Sequence, residues 1–155
     1  MRTADAWFDE YGESHRHATN KFLHWICVPA IVLSVMGLLW EIPAPRVLDE
    51  ISPWLNWATL VTAAALFYYF AISIRLGIAM VPALGLLLYA VYALDQLETP
   101  LWMLSIAIFV VAWIGQFIGH AIEGKRPSFF KDVQFLLIGP LWLVAHLFRR
   151  AGIRY

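Results

Sequence analysis

Apolar residues fall into four long blocks, Phe22–Trp40, Trp54–Ile74, Leu76–Leu94 and Pro100–Ile122. Each holds about twenty residues, the length an α-helix needs to cross a hydrocarbon core of about 30 Å. The breaks between them are polar and short. Glu41–Pro53 reads as a proline-rich loop, Arg75 as a lone charge at a tight turn, and Asp95–Thr99 as an acidic turn. Pro29 and Pro82 fall inside the predicted spans, where neighbouring helices can satisfy the carbonyls that proline frees. A fifth apolar stretch, Val133–Phe148, is shorter and is interrupted by Gly139-Pro140. By length it suits a re-entrant or interfacial helix pair, or a short fifth crossing.

Charge decides between these. With four crossings, one side receives Arg2, Arg16, Lys21, Arg75, Lys125, Arg126, Lys131, Arg149, Arg150 and Arg154. The other side receives only Arg46, among Glu41, Asp49, Glu50, Asp95 and Glu98. The side rich in Lys and Arg is cytoplasmic by the positive-inside rule, so both termini are expected there. A fifth crossing would strand Arg149, Arg150 and Arg154 outside. The expected fold is therefore an all-α, polytopic membrane helical bundle forming one domain over residues 1–155. It has four transmembrane helices, a short N-terminal helix and a C-terminal interfacial or re-entrant segment. The setting is a bacterial inner membrane, or the endoplasmic reticulum in a eukaryote.

Composition supports the class. Hydrophobic residues make up 61% and charged residues 14%, and the mean hydropathy is +0.68. A soluble domain is usually about 45–50% apolar, and this chain has too little polar surface to cover a packed core. A net charge of zero gives no reason to expect a nucleic-acid partner, and a homo-oligomer is left open. Asp5, Asp9, Glu10 and Glu13 occupy the first twenty residues without an apolar core, which argues against a cleaved signal peptide. The lone Cys27 excludes an internal disulfide and reads as a buried thiol.

The polar stretch Tyr11–His24 holds three of the five histidines. Tyr11 and His15 are four residues apart, as are Asn20 and His24, so each pair shares a face where the chain is helical. His15 and His24, nine apart, lie about half a turn out of phase on one straight helix. To meet they need a break between them, with Thr19 or Asn20 as the natural N-cap of a new helix. The topology then brings His15, His17 and His24, which precede or open the first span, to the same interface as His120, which ends the fourth. His146 is also within reach of that interface, while His17 reads as solvated. Gln116, His120 and Glu123 share one helical face, an amide, an imidazole and a carboxylate that can together hold a ligand in place. Gly119 beside His120 implies close backbone approach. Most of the eight tryptophans lie near predicted interfaces, as an aromatic belt does.

Histidines at membrane depth are costly and usually have a task. His15, His24, His120 and His146 are the candidate metal ligands; Tyr11, Asn20, Gln116 and Glu123 are the candidate residues supporting them in catalysis. Imidazoles with an oxygen-rich surround suit Fe(II) or Zn, and one cysteine excludes a thiolate site. The histidines are too few, and lack an HxxHH pair, for the eight-histidine di-iron centre of membrane desaturases. A single iron is the better fit. A membrane scaffold with a structural zinc remains an alternative, as does a small transporter, although the second and third spans carry no ionisable residue inside.

The pattern Tyr11-x3-His15-x4-Asn20-x3-His24-x4-Pro29, followed by Gln116-Phe-x-Gly-His120 with Glu123 and Arg126-Pro127, resembles the membrane-embedded 2-hydroxy fatty acid dioxygenases. The resemblance extends to Asp132-x-Gln134 and Gly139-Pro140. It implies Fe(II)-dependent α-oxidation that shortens a 2-hydroxy fatty acid by one carbon with O2 and without 2-oxoglutarate. It also implies metal ligation by His15, His24 and His120, with the acyl tail lying among the spans.

Overall fold

The computed structural model describes residues 3–52, 54–126 and 134–155. Expectations that rest on Arg2, Pro53, Pro127, Lys131, Asp132 and Val133 lie outside these residues. Those described form helices and no strand: α1 (Ala4–Gly12), α2 (Ala18–Trp40), α3 (Arg46–Ile51), α4 (Trp57–Ile72), α5 (Ile74–Asp95), α6 (Leu101–Glu123) and α7 (Phe135–Arg150). Three of them, α2, α5 and α6, are long and apolar enough to cross a membrane. Their outward faces are apolar, and so is that of α4, where Phe67 is 79% exposed. That is the surface a lipid-facing bundle presents.

Four boundaries differ from the sequence expectation. The second block does not start its helix at Trp54, because Asn56 caps α4 through a reciprocal capping box with Thr59. This leaves α4 only 16 residues, about 24 Å at 1.5 Å per residue. Arg75 is not the turn. Ser73 alone separates α4 from α5, its N–H donating back to the Tyr69 carbonyl and its hydroxyl accepting from the Leu76 N–H. The loop after α2 is not wholly irregular, since α3 forms behind Pro45. Finally, α7 is one continuous helix with Pro140 inside it.

The tightest seam joins α2 to α6. Gly37, Gly115 and Gly119 face Ser105, Cys27 and Asn20 across it, and a Cβ at any of the three would collide with its neighbour. Small residues that let backbones approach are the usual basis of helix association in lipid. Here they bring the first turn of α2 against the last turn of α6. Gly124, at a φ of 70°, ends α6 in the left-handed conformation that glycine adopts freely.

α1 and α7 pack together over this end of the seam. Trp7 meets Phe135 edge-on at 5.5 Å, and Tyr11 lies 5.4 Å from Trp142. Arg149 also bonds Asp5 at 3.0 Å, but both side chains are substantially exposed, so this pair adds little beside the aromatic packing. At the opposite end, Trp40, Trp54 and Tyr92 cluster at 5.1–5.4 Å, as members of an aromatic belt do.

Candidate metal centre

α1 stops at Gly12, and residues 13–17 form a strap before α2. The break between His15 and His24 is thus present, but its cap is neither Thr19 nor Asn20. His17 caps α2, its Nδ1 accepting from the Thr19 N–H at 3.2 Å. His17 is otherwise exposed, as expected. Asn20 is fully buried inside the first turn of α2.

His15, His24 and His120 come together from three segments. They are 2%, 2% and 4% exposed. Ring centroids are 4.2 Å apart for His15–His24 and 5.0 Å for each with His120. One ring nitrogen from each lies within 4.8 Å of the others. Residues almost a hundred positions apart in sequence therefore share one point.

The hydrogen bonds assign two of the tautomers. His15 Nδ1 lies 2.6 Å from the Tyr11 carbonyl, and His24 Nδ1 lies 2.9 Å from the Asn20 carbonyl. A carbonyl only accepts, so both Nδ1 atoms carry the proton. The two Nε2 atoms then face each other at 2.8 Å, each presenting a lone pair. Such an approach is repulsive unless a proton or a cation lies between them. Two imidazole nitrogens held at about 2.1 Å by one metal ion at right angles sit about 3 Å apart. The buried His120 Nδ1 has no hydrogen-bond partner among the described residues. Two opposed lone pairs and an orphaned third nitrogen make a donor set suited to a divalent metal.

The surroundings keep His15 ready to ligate. Tyr11 stacks on its ring at 4.2 Å with planes 12° apart, and Trp142 packs 5.5 Å away. Burial, and then the cost of a second positive charge beside His24, push the His15 pKa down to about 3. The ring is neutral at physiological pH, as metal binding requires.

Of the remaining candidates, Gln116 is buried and lines the cavity beside His120. Tyr11 lines it too, its hydroxyl tucked under Gly139, where a Cβ would come within 3.0 Å. Glu123, three residues after His120, is turned to the strap rather than being one of the clustered ligands. It accepts from the Arg16 N–H at 2.8 Å, the His17 N–H at 2.8 Å and Asn20 Nδ2 at 3.1 Å. His146 is not brought to the cluster. It packs on Trp142 and Trp25 at 5.9 and 6.1 Å. Trp142, one of the eight tryptophans and not singled out by the sequence, is a wall of the site. Its signal in the sequence was weak: a position four residues before His146, on the same face of α7.

Two spaces meet at His15. A cavity of about 60 Å³ runs from the histidines and Gln116 between Val28, Ile31, Val32, Phe135 and Leu136. Behind His15 and Trp142 lies a wider polar groove of about 480 Å³ bordered by Arg16, Lys21, His146 and Arg149, with Asp9 and Glu13. The cluster thus stands between an apolar slot and a polar opening.

A model of the family described as 2-hydroxy-palmitic acid dioxygenase Mpo1-like matches residues 1–151. Among curated proteins, the chain is similar to the 2-hydroxy-palmitic acid dioxygenase MPO1 of Saccharomyces cerevisiae. Identity is 24% over 140 residues, covering 89% of this chain and 75% of the yeast protein. No solved structure matches the chain. With a family match over nearly its whole length, the chain belongs to the family described as 2-hydroxy-palmitic acid dioxygenase Mpo1-like.

Proposed function

We propose that this protein is an Fe(II)-dependent dioxygenase that shortens a long-chain 2-hydroxy fatty acid by one carbon with O2, without 2-oxoglutarate. The observation that carries the proposal is the buried His15–His24–His120 cluster at the head of an apolar slot, in a chain of this family. These three histidines would hold the metal, and Fe(II) bound there would supply redox chemistry toward O2. Among the described residues the cluster offers three protein ligands. That is the ligand count of catalytic centres, whereas a structural zinc site closes with four.

The chain's own residues do the rest. The carbonyls of Tyr11 and Asn20 hold His15 and His24 with Nε2 turned inward. Val28, Ile31, Val32 and Leu136 exclude water and give the first methylenes of an acyl chain an apolar wall. Tyr11 and Gln116 stand at the polar end of the slot, where a substrate hydroxyl or carboxylate would be oriented. The test is direct. Protein purified anaerobically and loaded with Fe(II) is expected to convert a 2-hydroxy C16 acid under air to the C15 acid, followed by mass spectrometry. The unsubstituted C16 acid is expected to remain unchanged. Absence of any chain-shortened acid across several chain lengths would refute the assignment.

The reading includes four crossings with cytoplasmic termini, supported by a parity argument. His15 and His120 lie in contact, so an even number of crossings separates them. The helices α2, α5 and α6 contribute three, and α4 must supply the fourth despite its 16 residues. The bilayer would thin locally or Trp54 and Trp57 would anchor its outer end. A cysteine at Glu98 is expected to react with an impermeant reagent from outside, and one at Gly152 only after permeabilisation. The reverse pattern would invert the topology.

A further inference from the structure

We infer that Glu123 is a positioning residue that holds the three histidine-bearing segments in register without binding the metal itself; the inference rests on the metal-site reading above. Its carboxylate joins parts of the chain more than a hundred residues apart. One oxygen accepts from the Arg16 N–H at 2.8 Å, and the other from the His17 N–H at 2.8 Å and from Asn20 Nδ2 at 3.1 Å. Arg16 directly follows His15. Asn20 is the residue whose carbonyl orients His24. Glu123 itself stands three residues after His120, at the end of the same helix.

One side chain therefore touches the anchorage of each ligand. Lys125 reinforces it from the same end of α6, its Nζ donating to the Glu13 carbonyl at 2.8 Å. Asn20 completes the arrangement by donating from the same Nδ2 to the Ser14 carbonyl at 3.0 Å. The strap between Glu13 and His17 is thus pinned to α6 along its length.

Three donors occupy most of a carboxylate's acceptor capacity. Bonds to an ionised acceptor are about twice as strong as neutral ones. An acid so engaged has little capacity left for a metal, and the cluster of candidate ligands comprises the three histidines alone among the described residues. An amide cannot replace it. Gln offers one accepting oxygen, and its NH2 would confront at least one of the donors that Glu123 satisfies.

The test uses the full-length chain in detergent micelles with Co(II) as the probe, reading affinity and visible absorption bands. Glu123→Gln and Glu123→Ala are expected to weaken Co(II) binding by about 10- to 100-fold, the usual effect of removing an outer partner of a metal ligand. The bands of the residual complex are expected to shift, because His15 moves relative to His120. Asn56→Ala removes the cap of α4 at the far end of the bundle and serves as a stability control. It is expected to lower the melting temperature yet keep wild-type Co(II) affinity and bands. Where Glu123→Ala fails to fold, Glu123→Gln, which preserves length and volume, carries the test. Wild-type affinity and bands in the Gln variant overturn the inference. So does a loss of affinity in Asn56→Ala as large as in the Glu123 variants. Failure of the unmutated chain to bind Co(II) sinks the metal reading as well, and is distinguished by appearing without any substitution.

Discussion

Alanine in place of His15, His24 or His120 is expected to remove metal from the purified protein and abolish turnover. The loss follows from the geometry. Each ring supplies one of three nitrogens within 4.8 Å of one another, and two rings are already locked with Nδ1 outward. Removing His120 leaves two rings that cannot regroup, because the carbonyls of Tyr11 and Asn20 hold them; removing His15 or His24 leaves one of these held rings with His120 alone. Affinity is expected to fall by more than the roughly 10- to 100-fold seen when only an outer partner is lost. Activity is expected to vanish as a drop in kcat rather than a rise in KM, since the substrate's apolar slot remains intact. His17→Ala and His146→Ala are expected to keep full metal content: the first side chain is exposed, and the second packs on Trp142 and Trp25. Elemental analysis of all five variants decides. Normal metal in any of the first three, or its loss in His146→Ala, would contradict the three-histidine site.

Gly119→Ala is expected to destabilise the protein by about 1–3 kcal/mol, the usual cost of forcing a methyl into a filled space. The added Cβ would run into Asn20 Oδ1. A flexible side chain would yield, but this amide is held by Ser14 and Glu123 through its nitrogen. Asn20 can move only by breaking those bonds, and α2 can move only by separating His24 from His120. Metal affinity is therefore expected to drop together with stability. Gly85→Ala gives the opposite sign. A Cβ there meets nothing within 4 Å, and alanine is favoured over glycine in a helix by up to about 1 kcal/mol. Thermal unfolding in detergent, with both variants beside the parent chain, is the measurement. A neutral Gly119→Ala would show that the seam is looser than the structure has it.

Much of this was legible in the sequence. Apolar runs of about twenty residues announce helices whatever their neighbours, so α2, α5 and α6 are found within a few residues of their expected bounds. The meeting of His15, His24 and His120 followed from counting crossings, and Gly119 did signal close approach. What the sequence did not disclose depends on long-range partners. Asn20 has the chemistry of an N-cap, but Ser14 and Glu123 claim its amide and draw it into the core, leaving the cap to His17. The partners of Glu123 were hidden because two of them, Arg16 and His17, offer backbone groups more than a hundred residues away. Backbone N–H groups carry no residue-specific signature. His146 and Trp142 lie on one face of α7, and only the packing of α1 on α7 decides that the indole, not the imidazole, approaches His15. The shortening of α4 is a capping effect: the Asn56–Thr59 box removed Trp54 and Leu55 from a run that hydropathy alone extends.

The seam between α2 and α6 also sets an order of assembly. His24 and Asn20 leave the ribosome about a hundred residues before His120, an interval of about 5–20 s at ordinary synthesis rates of about 5–20 residues per second. During it, a newly inserted α2 lacks the His120 ring that completes the cluster and the Glu123 carboxylate that accepts from Asn20. On the three-histidine reading, a metal ion would be taken up only once α6 is in place, and would act as a clasp between the first long apolar helix made and the last.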